Sequence, residues 1–226
     1  MSVWKLQELR DLVEKTYGAE QLAKAADHIN SVDWKIRAAG YHSYLAKNSF
    51  DGIFSGIENE PMHAIKMILS SGKGASNFND ASFIYESNVI ACAQTMHSVS
   101  DIISHVIHDA LFIEGIDEDS IDLKTIQTKI PPSALKSSVV RVLGLKSYLY
   151  LKDFVNTTKH IRLVGAAYTV DVAGVDKYPN GMKFRSFTCK DRRHPAKWGE
   201  DLLKELNQLS IEFVNLGQDI NDYLAK

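Results

Sequence analysis

The chain has 226 residues, of which 45% are hydrophobic and 24% charged, a composition typical of one large or two small globular domains. Its net charge of −2 gives no global attraction to nucleic acid or to an anionic membrane, so a polyanionic partner would have to bind a local basic surface. Cys92 and Cys189 form neither a disulfide framework nor a CxxC pair, which favours reduced thiols. The charged N-terminus lacks the apolar core of a signal peptide, and no apolar run could span a bilayer. We therefore expect a cytoplasmic protein with no membrane contact.

Four helices are predicted in the first third of the chain, because apolar residues recur there at helical spacing. Ser31 or Asp33 can cap the third of them, and Pro61 suits the first turn of the fourth. The glycine-containing stretch at residues 48–59 breaks the pattern, and residues 70–80 are expected to form a loop. The predicted helical segments are residues 3–17, with Gly18 as a stop, 20–29, 34–47 and 61–69.

The longest periodic segment, residues 82–112, predicts a central helix. Two further helices are expected to begin near Ser133, after a pair of prolines, and near Leu145. Opposite the apolar arc of the central helix, four polar residues fall within about 80° of one another on the helical wheel: His97, Asp101, His105 and His108.

Beyond Val164 the hydrophobic period changes from helical to alternating, which predicts a β-hairpin over residues 166–190. Its strands are expected at residues 167–172 and 182–189. The Tyr-Pro-Asn-Gly sequence at residues 178–181 has the chemistry of a turn, because proline presets φ and glycine accepts a positive φ.

A basic loop with the sequence KDRRHP follows the hairpin at residues 190–195. We interpret it as a solvated turn, with a phosphate-contacting surface as the alternative. Apolar residues at helical spacing then predict a last helix over residues 198–224. The predicted fold class is therefore mainly α, a helical bundle with an inserted β-hairpin before the C-terminal helix, in a single domain of residues 1–226.

The helix predicted over residues 145–163 carries a polar stripe on an otherwise apolar surface. Asp153, Asn156 and His160 fall within about 60° of one another, and the remaining circumference is largely apolar, so the helix is expected to be buried nearly all round. Buried polar groups need partners. An aspartate that orients a histidine fixes its tautomer and raises its basicity, while Lys159 and Arg162 could hold a phosphate or a carboxylate. We expect His160 to act as an acid or base that Asp153 orients, and Asn156, Lys159 and Arg162 to bind the ligand.

Two other interpretations of the polar residues stay open. His97 and Asp101 could complete the catalytic group from the opposite side, or they could bind a metal ion together with His105 and His160, since residues spaced i, i+4 share one helical face. No second motif with recognisable metal-ligand spacing accompanies them, so no cofactor is assigned. In the third interpretation the cluster only fixes the register of the bundle, and the protein is a non-catalytic interaction module.

Two segments resemble parts of uncharacterised bacterial proteins of the HEPN-like superfamily of helical bundles: HSVSDIISHVI at residues 97–107 and YLKDFVNTTKHIRLV at residues 150–164. The resemblance covers two helices. It implies a bundle that binds or cleaves RNA or a nucleotide, often as a homodimer, and many members of the superfamily are ribonucleases in toxin–antitoxin or phage-defence systems.

The sequence departs from the catalytic signature of HEPN ribonucleases, an arginine followed about four to six residues later by a histidine. No arginine precedes His160 at that spacing. Arg37 and His42 match the spacing, but Ala38 replaces the polar residue that usually follows the arginine. The expected function is therefore RNA or nucleotide binding, with cleavage as a less conventional possibility for this cluster.

Overall fold

Eight α-helices and five short strands are present in the computed structural model, which describes residues 4–53, 61–69 and 71–226. The helices are α1 (Leu6–Tyr17), α2 (Ala19–Lys47), α3 (Pro61–Leu69), α4 (Lys73–Ala110), α5 (Leu123–Lys129), α6 (Ala134–Gly144), α7 (Lys146–His160) and α8 (Gly199–Leu224). The strands are β1 (Ala166–Val170), β2 (Asn180–Phe184), β3 (Phe187–Cys189), β4 (Arg192–His194) and β5 (Lys197–Trp198). The prediction of a mainly α fold with a small antiparallel sheet region before the C-terminal helix is confirmed. No helix in the described part is long and apolar enough to cross a membrane.

The chain divides into two compact units. Unit 1 comprises Met1–Ala38, Gln94–Lys152 and Leu206–Lys226, and unit 2 comprises Ala39–Ala93 and Asp153–Glu205. The divisions fall inside α2, α4, α7 and α8, so each of these helices contributes residues to both units. The prediction of a single domain over residues 1–226 stays a prediction.

Unit 1 includes a tight contact between the N-terminal segment and α8. The indole Nε1 of Trp4 donates a hydrogen bond of 3.0 Å to Oδ1 of Asn221, and the Asn221 amide donates one to the Lys5 carbonyl. The Trp4 ring lies so close to Gly217 that a Cβ atom added there would be 2.2 Å from it. A side chain at position 217 would therefore displace the indole.

Two predicted helix boundaries agree with local contacts of the backbone. Ser133 caps α6, because its hydroxyl accepts a hydrogen bond from the Lys136 backbone N–H. Gly18 ends α1 with a φ of 88°, and its N–H donates to the Glu14 carbonyl at 2.8 Å. The predicted helix start near Ser133 and the predicted stop at Gly18 are confirmed.

Two of the early boundaries are wrong. Residues 20–29 and 34–47 belong to one helix, α2. Within this helix the Ser31 hydroxyl donates to the Asp27 carbonyl, and the Asp33 carboxylate lies 3.7 Å from Arg37 one turn further on. Neither residue therefore caps a new helix. The loop expected at residues 70–80 is helical from Lys73.

The early start of α4 is explained by Phe78, which is buried in unit 2. Its ring packs against Tyr168 at a centroid distance of 5.0 Å and against Phe50 at 5.8 Å. Burial of this aromatic ring stabilises a helical turn whose composition alone favours a loop. The break predicted at residues 48–59 consists of turns as far as Ile53, and its remainder lies outside the described residues.

The predicted β-hairpin is formed by β1 and β2, which pair antiparallel from Ala166 with Phe184 to Val170 with Asn180. β5 extends this sheet on the other side of β2. The second predicted strand, residues 182–189, is divided into β2 and β3. The Arg185 N–H still donates to the Gly165 carbonyl, and after this bond the chain leaves the sheet and begins β3 at Phe187. β3 pairs with β4, so the residues interpreted as a solvated turn at 190–195 form most of a second, smaller hairpin.

Candidate functional site

The carboxylate of Asp153 is the best-connected polar group on α7, and it is 1% exposed. Arg192 donates to both of its oxygens, from Nε and Nη2, each at 2.7 Å, and Nε2 of His194 lies 2.8 Å from Oδ2. Burial by itself would raise the pKa of Asp153, but the hydrogen bonds and charges of Arg192 and His194 outweigh burial and lower this pKa from its ordinary value of 3.8. Asp153 is therefore a charged anchor for β4.

The period of a β-strand explains why β4 can supply both partners. Side chains alternate between the two faces of a strand, so Arg192 and His194 share a face and Arg193 points to the other. The His194 ring stacks on Phe187 across the hairpin, with centroids 4.6 Å apart and an angle of 24°. Phe187 in turn packs against Phe154 on α7 at 6.0 Å. The β3–β4 hairpin is thereby fixed to α7 by an ion pair and by aromatic contacts.

A cleft with a volume of about 410 Å³ lies beside this junction in unit 2. We call it the basic cleft; it is lined by residues 162–166 and 185–187. Arg162 and Arg185 line it, both have exposed side chains, and within the described residues neither guanidinium has a hydrogen-bond or ion-pair partner. Phe187 contributes to both the cleft and the aromatic contacts described above. The cleft therefore presents two unpaired arginines on a surface whose backbone is fixed by α7 and β3.

Other cations near the end of α7 and on the β3–β4 hairpin are also unpaired in the described part of the chain. The side chains concerned are exposed: Lys159, Lys190 and Arg193. Four lysines elsewhere in unit 2 are ion-paired: Lys177 with Asp201, Lys183 with Asp176, Lys197 with Glu205 and Lys204 with Glu200. Residues 153–194 contain eight lysines and arginines and four aspartates, a net charge of +4 against −2 for the whole chain.

The predicted site residues on α7 are placed unequally. The end of the helix is exposed from Lys159 to Leu163, so the expectation of burial nearly all round is wrong for this turn. Asn156 is half-buried, and His160 is the exposed last residue of α7. The described contacts of Asp153 go to Arg192 and His194 and not to His160, which lies seven residues and about 10 Å further along the helix.

The polar stripe predicted on α4 lies in unit 1. His97 Nδ1 is 3.2 Å from Oδ2 of Asp101, so these two residues do form an i, i+4 pair. The His105 ring stacks on His28 with centroids 4.9 Å apart. Burial, followed by the charge of His28, lowers the pKa of His105 from its ordinary value of 6.5.

The Asp109 carboxylate lies between His28 and His108. Its Oδ2 is 2.7 Å from Nδ1 of His28, and its Oδ1 is 2.8 Å from Nδ1 of His108. Among the described residues, no three His, Cys, Asp or Glu side chains are grouped so that they could hold a metal ion. The set His97, Asp101, His105 and His160, considered above as metal ligands, gains no support from this arrangement.

The Arg37 and His42 pair that matches the ribonuclease spacing is divided between the two units. Five residues apart on one helix, the two side chains diverge by about 140°. His42 Nδ1 lies 3.0 Å from Oδ1 of Asn88 in unit 2. In unit 1 the Arg37 guanidinium lies 3.7 Å from a carboxylate oxygen of Asp33.

Sequence reasoning missed Arg185, and it placed Arg192 and His194 in a solvated turn or phosphate-contacting surface without predicting that they bind Asp153. The signal for Arg192 and His194 was the two-residue period of a short strand inside the KDRRHP segment, and the signal for Arg185 was the local excess of positive charge over residues 153–194.

Comparison of the chain with protein-family models, with curated proteins and with solved structures finds no match. Its function therefore has to be inferred from its own residues.

Proposed function

We propose that this protein binds RNA, or a nucleotide, through phosphate contacts in the basic cleft. The observation that carries the proposal is the pair of exposed guanidinium groups, Arg162 and Arg185, which line one cleft and have no partner within the described residues. A guanidinium presents N–H donors in a planar fork that matches two phosphate oxygens. A volume of about 410 Å³ accommodates a phosphate with its attached sugar.

Local charges decide how such binding would work. The C-terminal end of α7 carries the negative end of a helix dipole, and a Glu86 carboxylate oxygen lies 3.6 Å from the position of a Cβ on Gly165. Both features oppose an anion, so attraction has to come from the side-chain cations. The unpaired Lys159, Lys190 and Arg193 supply further positive charge in this region, and several phosphates of one strand can share it.

The resemblance of residues 150–164 to HEPN-like proteins supports the same function, because these residues form the C-terminal part of α7 and the start of the basic cleft. We assign Lys159, Asn156 and His160 to ligand contact beside Arg162. Binding is proposed rather than cleavage, since the carboxylate expected to orient His160 is held by Arg192 and His194. The homodimer that the resemblance implies stays a prediction.

The proposal is tested by fluorescence anisotropy with a labelled single-stranded RNA of about 12 nucleotides. The double variant Arg162→Ala/Arg185→Ala is expected to weaken binding about tenfold or more, because two phosphate contacts are lost. The matched control is Lys177→Ala/Lys183→Ala, which removes the same charge from two lysines that are already ion-paired in unit 2, and it is expected to bind within about twofold of wild type. Equal affinity of the cleft variant and wild type, or an equal loss in both double variants, would contradict the proposal.

A further inference from the structure

A second cleft in unit 2 has a different chemistry from the basic cleft. Five aromatic rings line it, and its volume of about 390 Å³ lies within the range of small-molecule sites. The rings belong to Phe50, Tyr85, Tyr168, Tyr178 and Trp198. Asn180 adds an amide, and Lys47 and Glu200 add one charge of each sign. We call it the aromatic cleft.

The rings are held in place by contacts with one another and with the backbone. Phe50 packs against Tyr168 at 5.3 Å and against Tyr85 at 6.0 Å, and Tyr178 packs against Trp198 at 5.6 Å. A Cβ atom on Gly199 would lie 2.5 Å from the Tyr85 hydroxyl, so the first residue of α8 has to be a glycine for this tyrosine to occupy its position. A rigid set of rings loses little conformational entropy when a flat ligand stacks on it.

Polar groups at the aromatic cleft are arranged for hydrogen bonding rather than for binding a charge. The Tyr168 hydroxyl donates to Oδ1 of Asn180 at 2.8 Å. Burial raises the pKa of Tyr168 to about 12, and burial followed by the charge of Glu200 raises the pKa of Tyr85. Both phenols therefore stay neutral at physiological pH and can donate or accept hydrogen bonds.

The lysines around the aromatic cleft disfavour a cationic ligand, because they already occupy positions over two of its rings. Aromatic cages commonly bind quaternary ammonium groups, but here Lys183 Nζ already lies 4.6 Å from the centre of the Trp198 ring, and Lys177 Nζ lies 5.1 Å from that of Tyr178. Lys47 adds a positive charge to the lining, without an ion-pair partner among the residues that the structure describes. A neutral planar ligand avoids repulsion from all three.

We propose that the aromatic cleft binds one nucleobase, carried by a free nucleoside or nucleotide, by stacking on its rings and by hydrogen bonding to the amide and phenol groups. Every base has a π face, and its edge carries donors and acceptors that suit an amide and a phenol. This binding goes beyond phosphate recognition in the basic cleft and does not depend on it.

The test is calorimetric titration of the full chain with adenosine, guanosine, cytidine and uridine. We expect saturable binding of at least one nucleoside and none of ribose or tetramethylammonium. Tyr178→Leu removes a ring from the aromatic cleft and is expected to weaken nucleoside binding about tenfold. Tyr178→Phe keeps the ring and loses only the contacts of the hydroxyl, which donates to Asp201 at 2.8 Å and accepts from Lys204 at 3.3 Å, so it is expected to retain binding.

Two controls separate this site from other causes. Tyr41→Leu changes a tyrosine of unit 2 that is 60% exposed and does not line the aromatic cleft, and it should bind nucleosides as wild type does. Arg162→Ala/Arg185→Ala should also keep nucleoside affinity, so failure of phosphate binding and failure of base binding are distinguishable. The inference is overturned if no nucleoside binds the wild type, if tetramethylammonium binds instead, or if folded Tyr178→Leu, verified by circular dichroism, binds as tightly as wild type.

Discussion

Asp153 on α7 and Arg192 on β4 form a two-point ion pair, in which Nε and Nη2 of the arginine each lie 2.7 Å from a different oxygen of the buried carboxylate. The pair joins residues 39 positions apart in the chain. It determines which way the β3–β4 hairpin faces, and with it the position of Phe187 in the basic cleft.

Removing this carboxylate should destabilise the protein. Asp153→Ala leaves His194, 13% exposed, and Arg192, 52% exposed, without their shared partner. We expect the free energy of unfolding to fall by about 2–3 kcal/mol, less than for a fully buried pair because solvent reaches the guanidinium. Urea denaturation measures the change. Asp176→Ala, which breaks a more exposed pair with Lys183, is the control and should cost less than about 1 kcal/mol; equal losses in the two variants would contradict the structural role of Asp153.

The lowered pKa of Asp153 predicts a pH dependence of stability. Because the folded-state pKa lies below 3.8, the value near which the unfolded chain titrates, the stabilisation is fully present above that pH and is lost as pH falls through the folded-state pKa. Asn cannot titrate. The difference in unfolding free energy between wild type and Asp153→Asn should therefore shrink below about pH 3.8, as followed by urea denaturation across a pH series. A difference that grows as the pH falls would show that the carboxyl has the opposite shift.

The contact of Trp4 with Gly217 predicts a large effect of one methyl group. Gly217→Ala would place a Cβ atom 2.2 Å from the indole, and the hydrogen bond from Trp4 to Asn221 would be strained as the ring moves. We expect a loss of about 2–3 kcal/mol in thermal or urea unfolding. Gly40→Ala, in α2, meets nothing within 4 Å and should be neutral or stabilising by up to about 1 kcal/mol. Similar stabilities for the two variants would contradict the packing described for unit 1.

Local signals made the helices predictable, and tertiary contacts explain the failures. Ser133 and Gly18 act on their own backbone neighbours, so their roles follow from the sequence. Phe78 lies in a segment rich in Gly, Ser and Asn and becomes helical because its ring is buried against residues far along the chain. Ser31 has the chemistry of a cap but bonds within a continuous helix, and no local rule distinguishes the two cases.

The candidate site shows the same limit. Asp153 was predicted to be a buried carboxylate that binds a histidine, and the structure gives it His194 instead of His160. Sequence periodicity places residues on a face of one helix, but it cannot identify a partner on another element. Arg162 was predicted as a phosphate ligand from its neighbours on α7, whereas Arg185 becomes its neighbour in the cleft only when the end of β2 meets the segment that follows α7.

The most direct measurement of phosphate binding in the basic cleft is the salt dependence of RNA affinity for wild type and for Arg162→Ala/Arg185→Ala. The logarithm of the association constant falls linearly with the logarithm of salt concentration, with a slope of about −0.7 per phosphate contact on a single strand. If each arginine neutralises one phosphate, the double variant should have a slope shallower than wild type by about 1.4. An unchanged slope would show that neither arginine touches phosphate, and the proposed function would be wrong.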